Sequence, residues 1–400
     1  MARALLLVID SLGVGAMADV AETRPADLGA NTLARVLEAN PQLRLPALET
    51  MGLGRVLNHP RLNPDKARGA WGTNRLQHQG ADSYMGHQEL MGSNPLAPQL
   101  ISFAQVSAQV KAALEARGHE VKVPDPRGGW LLVDDLVVVA DNIETDYGQI
   151  YNVTGPLDQI EFAGIERIGE IVRAATQVSR VIALGGEGVS RDQILASIRT
   201  REDGLTGVDS PASGVYKRGY RSRHMGYGID PGRQLPAAVL AAGRPVGLVG
   251  KMQDIIHCPR AQRVPAVATD LVLREFGRLA RELEAGLVAA TIQETDLAGH
   301  AQDARQYGAL LAMTDAWLAE FLPTLRPGDL LVVTGDHGND PGIGHPQHTR
   351  EKTPLLVYGP GLKVVDLGER ATLSDIAATL ARHLGAAAPE NGCSFYEKLD

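Results

Sequence analysis

Three segments of this chain set an aspartate just beyond an apolar run, and two of them add a histidine beside it. Asp336 and His337 follow DLLVVT in TGDHGND, Asp10 follows ALLLVI, and Asp296 and His300 stand in ETDLAGH just after LVAATI. GHPQHTRE then adds His345 and His348. Carboxylate oxygen and imidazole nitrogen together suit a borderline divalent cation such as Mn²⁺ or Zn²⁺. The D-x-x-G-H spacing places Asp296 and His300 on one side of a turn or of a helix's first turn. A further polar stretch, GADSYMGHQELMG from Gly80 to Gly92, offers the Ser83 hydroxyl, with Asp82 adjacent and His87 and Glu89 close behind. A serine beside a cation is a competent nucleophile, because the metal lowers its hydroxyl pKa. Alone, Asp10 reads as a loop cap and Ser83 as a helix cap. Together the residues make two ligand sets: Asp10, Ser83, Asp336 and His337 for one ion, and Asp296, His300 and His348 for another. Two ions roughly 3.5–4 Å apart clamp the attacking and leaving oxygens of an in-line displacement, the chemistry of phosphate and sulfate esters.

The elements that must carry these groups are legible as apolar runs: Ala4–Ile9, Arg244–Val249, Leu287–Ile292, Asp329–Thr334 and Pro354–Tyr358. Their continuous hydrophobicity suits strands covered on both faces. Helical spacing fills Pro265–Ala285 and Ala304–Leu322, and Ser374 is expected to cap DIAATLARHL. Strands alternating with helices predict an α/β fold with a doubly wound, mostly parallel sheet. A carboxylate at the carboxyl end of such a strand points into the crevice where these folds bind ligands. The middle of the chain carries its own helices (Ala104–Ala116, Gly164–Val178) and strands (Leu131–Val139, Arg180–Leu184). It is expected to be a smaller α/β domain, 98–229, inserted into a core formed by 1–97 and 230–400.

The chain has 400 residues, 44% hydrophobic and 22% charged, with only 4% aromatic, so its core is aliphatic. The formal charge of −8 argues against a nucleic-acid partner. Two cysteines, Cys258 and Cys393, exclude a disulfide framework and point to a reducing cytoplasm. The N-terminal apolar run is too short for a signal peptide's apolar region, the overall composition argues against a membrane protein, and nothing in the sequence predicts a protein partner.

These motifs resemble the alkaline phosphatase superfamily, in particular its metal-dependent mutase branch and, within that, the phosphopentomutases. VIDSLGVGAMADV, DLGANTLARVLE, GHQELMG, VGKMQDI and DHGNDPGIGHPQHTREKTPLL carry the likeness, which spans nearly the whole chain. It implies an alkaline-phosphatase-like core with an inserted cap, and two Mn²⁺ ions, with Zn²⁺ as the alternative. It also implies a phosphorylated hydroxyl, here Ser83, that shuttles phosphate between the C1 and C5 oxygens of a pentose, an isomerase reaction for which a sugar bisphosphate can serve as primer. Three departures bear on the substrate. Ser83 stands where phosphopentomutases carry Thr, Gln88 replaces the Trp of GHWE, and the Asp296–His300 spacing is one residue short. The first and third resemble the cofactor-independent phosphoglycerate mutases.

Cap arginines and an Asp orient the sugar phosphate in that family. Here VYKRGYRSRHMGYGID supplies Arg218, Arg221 and Arg223, with Lys217 and His224, in an otherwise acidic chain. Guanidinium groups match phosphate oxygens bidentately. Asp146 corresponds to the sugar-hydroxyl Asp, and Lys251, after the Arg244–Val249 strand, is expected to face the crevice. The reading is a phosphomutase acting on a small sugar phosphate. The alternatives are a phosphomonoester hydrolase with the same site, a mutase for a different phosphorylated substrate, and a metal-stabilised binding protein.

Overall fold

A computed structural model describes residues 2–145 and 147–400, and the chain divides into two compact units, Met1–Pro95 with Asp230–Asp400, and Leu96–Ile229. The larger unit is built on a sheet of β1 (Arg3–Ile9), β2 (Ala70–Asn74), β3 (Val246–Gly250), β4 (Gln262–Val264), β5 (Gly286–Ile292), β6 (Asp329–Thr334), β7 (Thr353–Tyr358) and β8 (Asp366–Arg370). They lie in the order β4-β3-β5-β1-β6-β7-β2-β8. The first five in that order are mutually parallel. β7 runs antiparallel to β6, and β2 antiparallel to β7, so β2 again points with β6.

Alternation along β1 explains the two covered faces. Leu5, Leu7 and Ile9 enter one core with Phe276, Tyr307 and Leu311, while Ala4, Leu6 and Val8 enter another with Ile376 and Leu380. Helices therefore cover both sides of the sheet, as a doubly wound fold requires. Each fully buried leucine contributes about 2 kcal/mol. At the start of β1, Arg3 is locked to Asp329 by a buried pair with Nε–Oδ1 at 2.7 Å. Register then fixes the far end: Ile9 lies opposite Ile292 of β5, and Val8 opposite Thr334 of β6. The residues that follow these strands must leave from the same edge of the sheet.

The smaller unit has a six-stranded sheet. Ile150–Pro156 and Arg180–Gly186 are its parallel pair, joined by the helix Phe162–Ala174, and its other pairings are antiparallel. Sequence reading differs from the structure here. The apolar run Leu131–Val139 is two strands, Trp130–Val133 and Val137–Asp141, folded into a hairpin. Asp134 and Asp135 take φ of 49° and 58° at the turn, a conformation short carboxylate side chains tolerate better than most. Ser374 is also not a cap. It is the first residue of its helix, and its hydroxyl instead donates to the carbonyls of Glu89 (2.8 Å) and Ser93 (3.0 Å).

Asp315, on the long helix Ala304–Phe321, accepts the Leu48 and Ala47 amides at 2.8 and 3.3 Å, at the start of the helix Pro46–Met51. Burial pushes its carboxyl up to about 6, against those two hydrogen bonds. A raised carboxylate pKa stabilises the fold fully below the ordinary range near 4, and that stability is lost as pH rises through about 6. Relative to Asp315→Asn, the wild type should lose on the order of 2 kcal/mol between pH 4 and 7. Urea unfolding of both proteins across that range measures it, and parallel pH profiles would refute it.

Candidate functional site

The polar groups gather at the carboxyl edge of the parallel strands. Asp10 directly follows β1, and the turn after it is held by Ser11 at φ 65°, whose amide donates to Asp336 Oδ1 at 3.0 Å. Asp336 and His337 follow β6, and Asp296 and His300 lie on the helix Glu294–His300 after β5. Lys251 follows β3, turned inward by Gly250 at φ 66°. Ser83 opens the helix Ser83–Leu90, whose N-cap Asp82 accepts the Met85 amide at 2.8 Å. That helix start favours negative charge, since its first amides point outward.

All of these side chains converge. Ser83 Oγ lies 2.6 Å from Asp336 Oδ2, 3.3 Å from Asp10 Oδ1 and 2.8 Å from Lys251 Nζ, and Lys251 Nζ is 2.7 Å from Asp10 Oδ2. Burial works against the lysine's charge, but Asp10, Asp336 and Asp296 outweigh it and hold its pKa above the usual lysine range. Asp336 is likewise held well below the carboxylate range, with His337 and His87 overriding its burial. The same holds for Asp296, where burial is overridden by His300 and His348.

The histidines are oriented as metal ligands are. His300, His337 and His348 each give Nδ1 to a backbone carbonyl: Pro346 at 2.7 Å, Gly338 at 2.9 Å and Ala81 at 2.8 Å. A carbonyl only accepts, so in the neutral ring Nδ1 carries the proton and Nε2 bears a free lone pair. The Nε2 atoms of His300 and His348 stand 3.0 Å apart. Among the described residues His337 Nε2 is buried without a hydrogen bond, beside Asp336 Oδ2 at 3.2 Å and Asp10 Oδ1 at 3.4 Å. Two donor groups result, Asp10–Asp336–His337 and Asp296–His337–His348, each with ligand atoms within 4.8 Å of one another. His337 faces both. His300 closes the second group, its Nε2 3.3 Å from Asp296 Oδ2. With the histidines neutral, as metal ligands must be, three buried carboxylates face one ammonium, an excess of negative charge that divalent cations would balance. The donor set therefore fits the ions.

The remaining sequence candidates within the described residues have partners of their own. His345 Nε2 lies 3.2 Å from Asp27 Oδ1, without a hydrogen bond to either ring nitrogen among the described residues. In the smaller unit, Arg223 pairs with Glu170 at 2.7 Å, and the Arg221 guanidinium lies 4.5 Å over the Phe162 ring. Both engage the helix Phe162–Ala174 of their own unit. Arg218 is exposed, its Nε 3.4 Å from Glu187. Asp146 lies outside the described residues. Sequence reasoning missed Glu351, which is fully buried and accepts from the Gly15 and Thr32 amides and from the Thr32 and Thr349 hydroxyls. A Cβ on Gly13 or Gly338 would fall on that carboxylate. Its only trace in the sequence is a glycine in each of two motifs.

A model of the Metalloenzyme superfamily matches residues 2–388. A Symbiobacterium thermophilum phosphopentomutase is 31% identical, aligned over 99% of this chain and 98% of its own. A Methylobacterium radiotolerans phosphopentomutase is 32% identical over 99% and 100%. The chain belongs to the phosphopentomutase family of the metalloenzyme superfamily. It is an enzyme of the mutase type. Among solved structures, a Leishmania mexicana phosphoglycerate mutase aligns over 98% of this chain and 97% of its own, with a TM-score of 0.49 and 13% identity.

Within the helix Ser83–Leu90, Gly86 packs on the segment that carries Asp336. A Cβ there would lie 2.6 Å from the Asp336 carbonyl oxygen. Gly86→Ala must therefore push the helix away and lengthen the contact between Ser83 and Asp336. Displacements of about 1 Å at a reacting group cost on the order of a hundredfold in rate. Gly86→Ala should keep its circular dichroism and lose activity on that scale; retention of full activity would show that the 2.6 Å contact does not matter.

Proposed function

We propose that the protein is a phosphomutase in which phosphorylated Ser83 moves a phosphoryl group between the C1 and C5 oxygens of a pentose phosphate. The observation that carries this reading is the setting of one hydroxyl, Ser83 Oγ, against Lys251 Nζ at 2.8 Å and Asp336 Oδ2 at 2.6 Å, beside both donor groups. Asp10, Asp336, His337 and Ser83 would hold one divalent ion, and Asp296, His300 and His348 the other. Such ions, Mn²⁺ or Zn²⁺ by the donor chemistry, neutralise charge on the transferring oxygens and lower the serine hydroxyl pKa.

The chain's own groups do the rest. In the first transfer the bond from phosphorus to Ser83 Oγ breaks and a bond to the substrate's free hydroxyl oxygen forms, giving a sugar bisphosphate. The proton that hydroxyl loses ends on Ser83 Oγ. In the second transfer Ser83 attacks the phosphate at the other end of the reoriented bisphosphate, and the proton returns to the sugar. Lys251, kept cationic by three carboxylates, stabilises the serine oxygen whenever it carries charge. The amides at the start of the Ser83 helix favour the phosphorylated state in the same way. The identity of the relatives supports the pentose assignment.

Phosphorus NMR of ribose 5-phosphate with Mn²⁺-loaded protein and a trace of ribose bisphosphate tests it. A growing ribose 1-phosphate signal is the expected result. Free phosphate would make the protein a hydrolase, and an unchanged spectrum would overturn the pentose substrate. Ser83→Ala should lose at least a thousandfold in rate and take up no phosphoryl group in intact-protein mass spectra, with its melting temperature kept.

A further inference from the structure

His87 stands one helical turn after Ser83 and is fully buried. Its Nδ1 lies 2.9 Å from the Ser83 carbonyl oxygen and 3.0 Å from Asp336 Oδ2. On the other side of the ring, Nε2 lies 2.8 Å from Thr291 Oγ1, in β5. Both neighbours of Nδ1 are acceptors, so Nδ1 carries a proton and shares it between them. The Thr291 hydroxyl occupies the remaining nitrogen and fixes the plane of the ring. One imidazole thus ties together the nucleophile's helix, β5 and the loop after β6.

We propose that His87 is a positioning residue: it holds the Asp336 carboxylate in the orientation that binds an ion, and locks that orientation to the helix bearing Ser83. This rests on the two-ion reading of the site. Asp336 Oδ1 is held by the Ser11 amide at 3.0 Å. Oδ2 receives the Ser83 hydroxyl, which must itself become a nucleophile and cannot serve as a permanent donor. His87 is the donor to Oδ2 that stays in place through the reaction. Groups that hold a ligating carboxylate in this way typically change metal affinity about 10–100-fold when removed. Thr291 belongs to the device, since without its hydroxyl the ring loses its third anchor.

The test is titration of metal-stripped protein with Mn²⁺ alone by calorimetry, for the wild type, His87→Leu, His87→Asn and Thr291→Val, with melting temperatures measured in EDTA. His87→Leu should weaken the tighter Mn²⁺ site about 10–100-fold. His87→Asn, whose amide can donate near the position of Nδ1, should recover most of that loss, and Thr291→Val, which keeps the side chain's shape, should fall between. Recovery by asparagine separates positioning from packing. Folded His87→Leu that binds Mn²⁺ as tightly as the wild type overturns the proposal. If His87→Leu does not fold, unchanged affinity in Thr291→Val overturns it instead. Wild-type protein that binds no Mn²⁺ overturns the two-ion reading, and this inference with it.

Discussion

Asp10, Asp296 and Asp336 are all buried at one edge of a sheet, with Lys251 as the ammonium that touches Asp10. Carboxylates do not stay ionised away from water without compensation, because an unpaired buried charge costs several kcal/mol. The geometry nonetheless keeps them together. Register lines up the ends of β1, β5 and β6, and each carboxylate is carried by the segment that leaves its strand. Histidine lone pairs, one ammonium and the amides of a helix start face the same space. A site that concentrates negative charge and then surrounds it with neutral nitrogen donors is built to be completed by cations, and a phosphate ester is an anion that needs those cations in order to approach.

Holding such a cluster takes a rigid frame, and the frame is largely buried polar bonding. Glu351 joins the turn after β1, the start of the helix Thr32–Ala39 and the loop carrying His348, and Gly13 and Gly338 are bare because its carboxylate occupies the space a Cβ would need. Glu89 does the same for the helix Ser83–Leu90: it accepts the Gln77 and His78 amides, the His78 ring, the Thr372 hydroxyl and the Leu373 amide. Arg350 binds the carbonyls of Leu76, His78 and Gly80, which lead into that helix. Each hub satisfies its lone pairs or protons nearly completely, the condition under which buried polar groups rigidify a structure. Ser83 is therefore placed from both ends of its segment, and its contacts to Asp336 and Lys251 follow from that placement.

What was legible in the sequence divides along physical lines. β1, β5 and β6 are buried on both faces, so they read as unbroken apolar runs, and the ligands at their ends could be found by looking just past them. β2 (AWGTN) and β8 (DLGER) were invisible, because strands toward the sheet's edge carry polar residues and glycine and need no apolar face on both sides. The hairpin at Asp134–Asp135 hid inside one hydrophobic run, since two left-handed residues reverse a chain without any glycine or proline to announce it. GHPQHTRE offers His345 beside His348, and the ligand sets read from the sequence leave it out. Its Nε2 lies 3.2 Å from Asp27, a neighbour from near the other end of the chain that no local pattern can reveal. Glu351 and Thr291 were missed for the same reason: their roles exist only after β1, β5 and β6 have been laid side by side.

The arginines of the smaller unit already have partners within it. Five cationic or imidazole side chains within one short segment suggest a phosphate site, yet Arg223 is matched to Glu170, and Arg221 lies over Phe162 on the same helix. A guanidinium already paired must give up that partner before it can bind a substrate anion, which lowers its net gain. Arg218, exposed and only 3.4 Å from Glu187, gives up less. The departures at Ser83, Gln88 and the Asp296–His300 spacing each preserve a donor, a hydroxyl or a packed side chain, and Gln88 gives its amide to the Ile255 carbonyl at 3.0 Å. None of the three removes a side chain of the carboxylate and imidazole cluster.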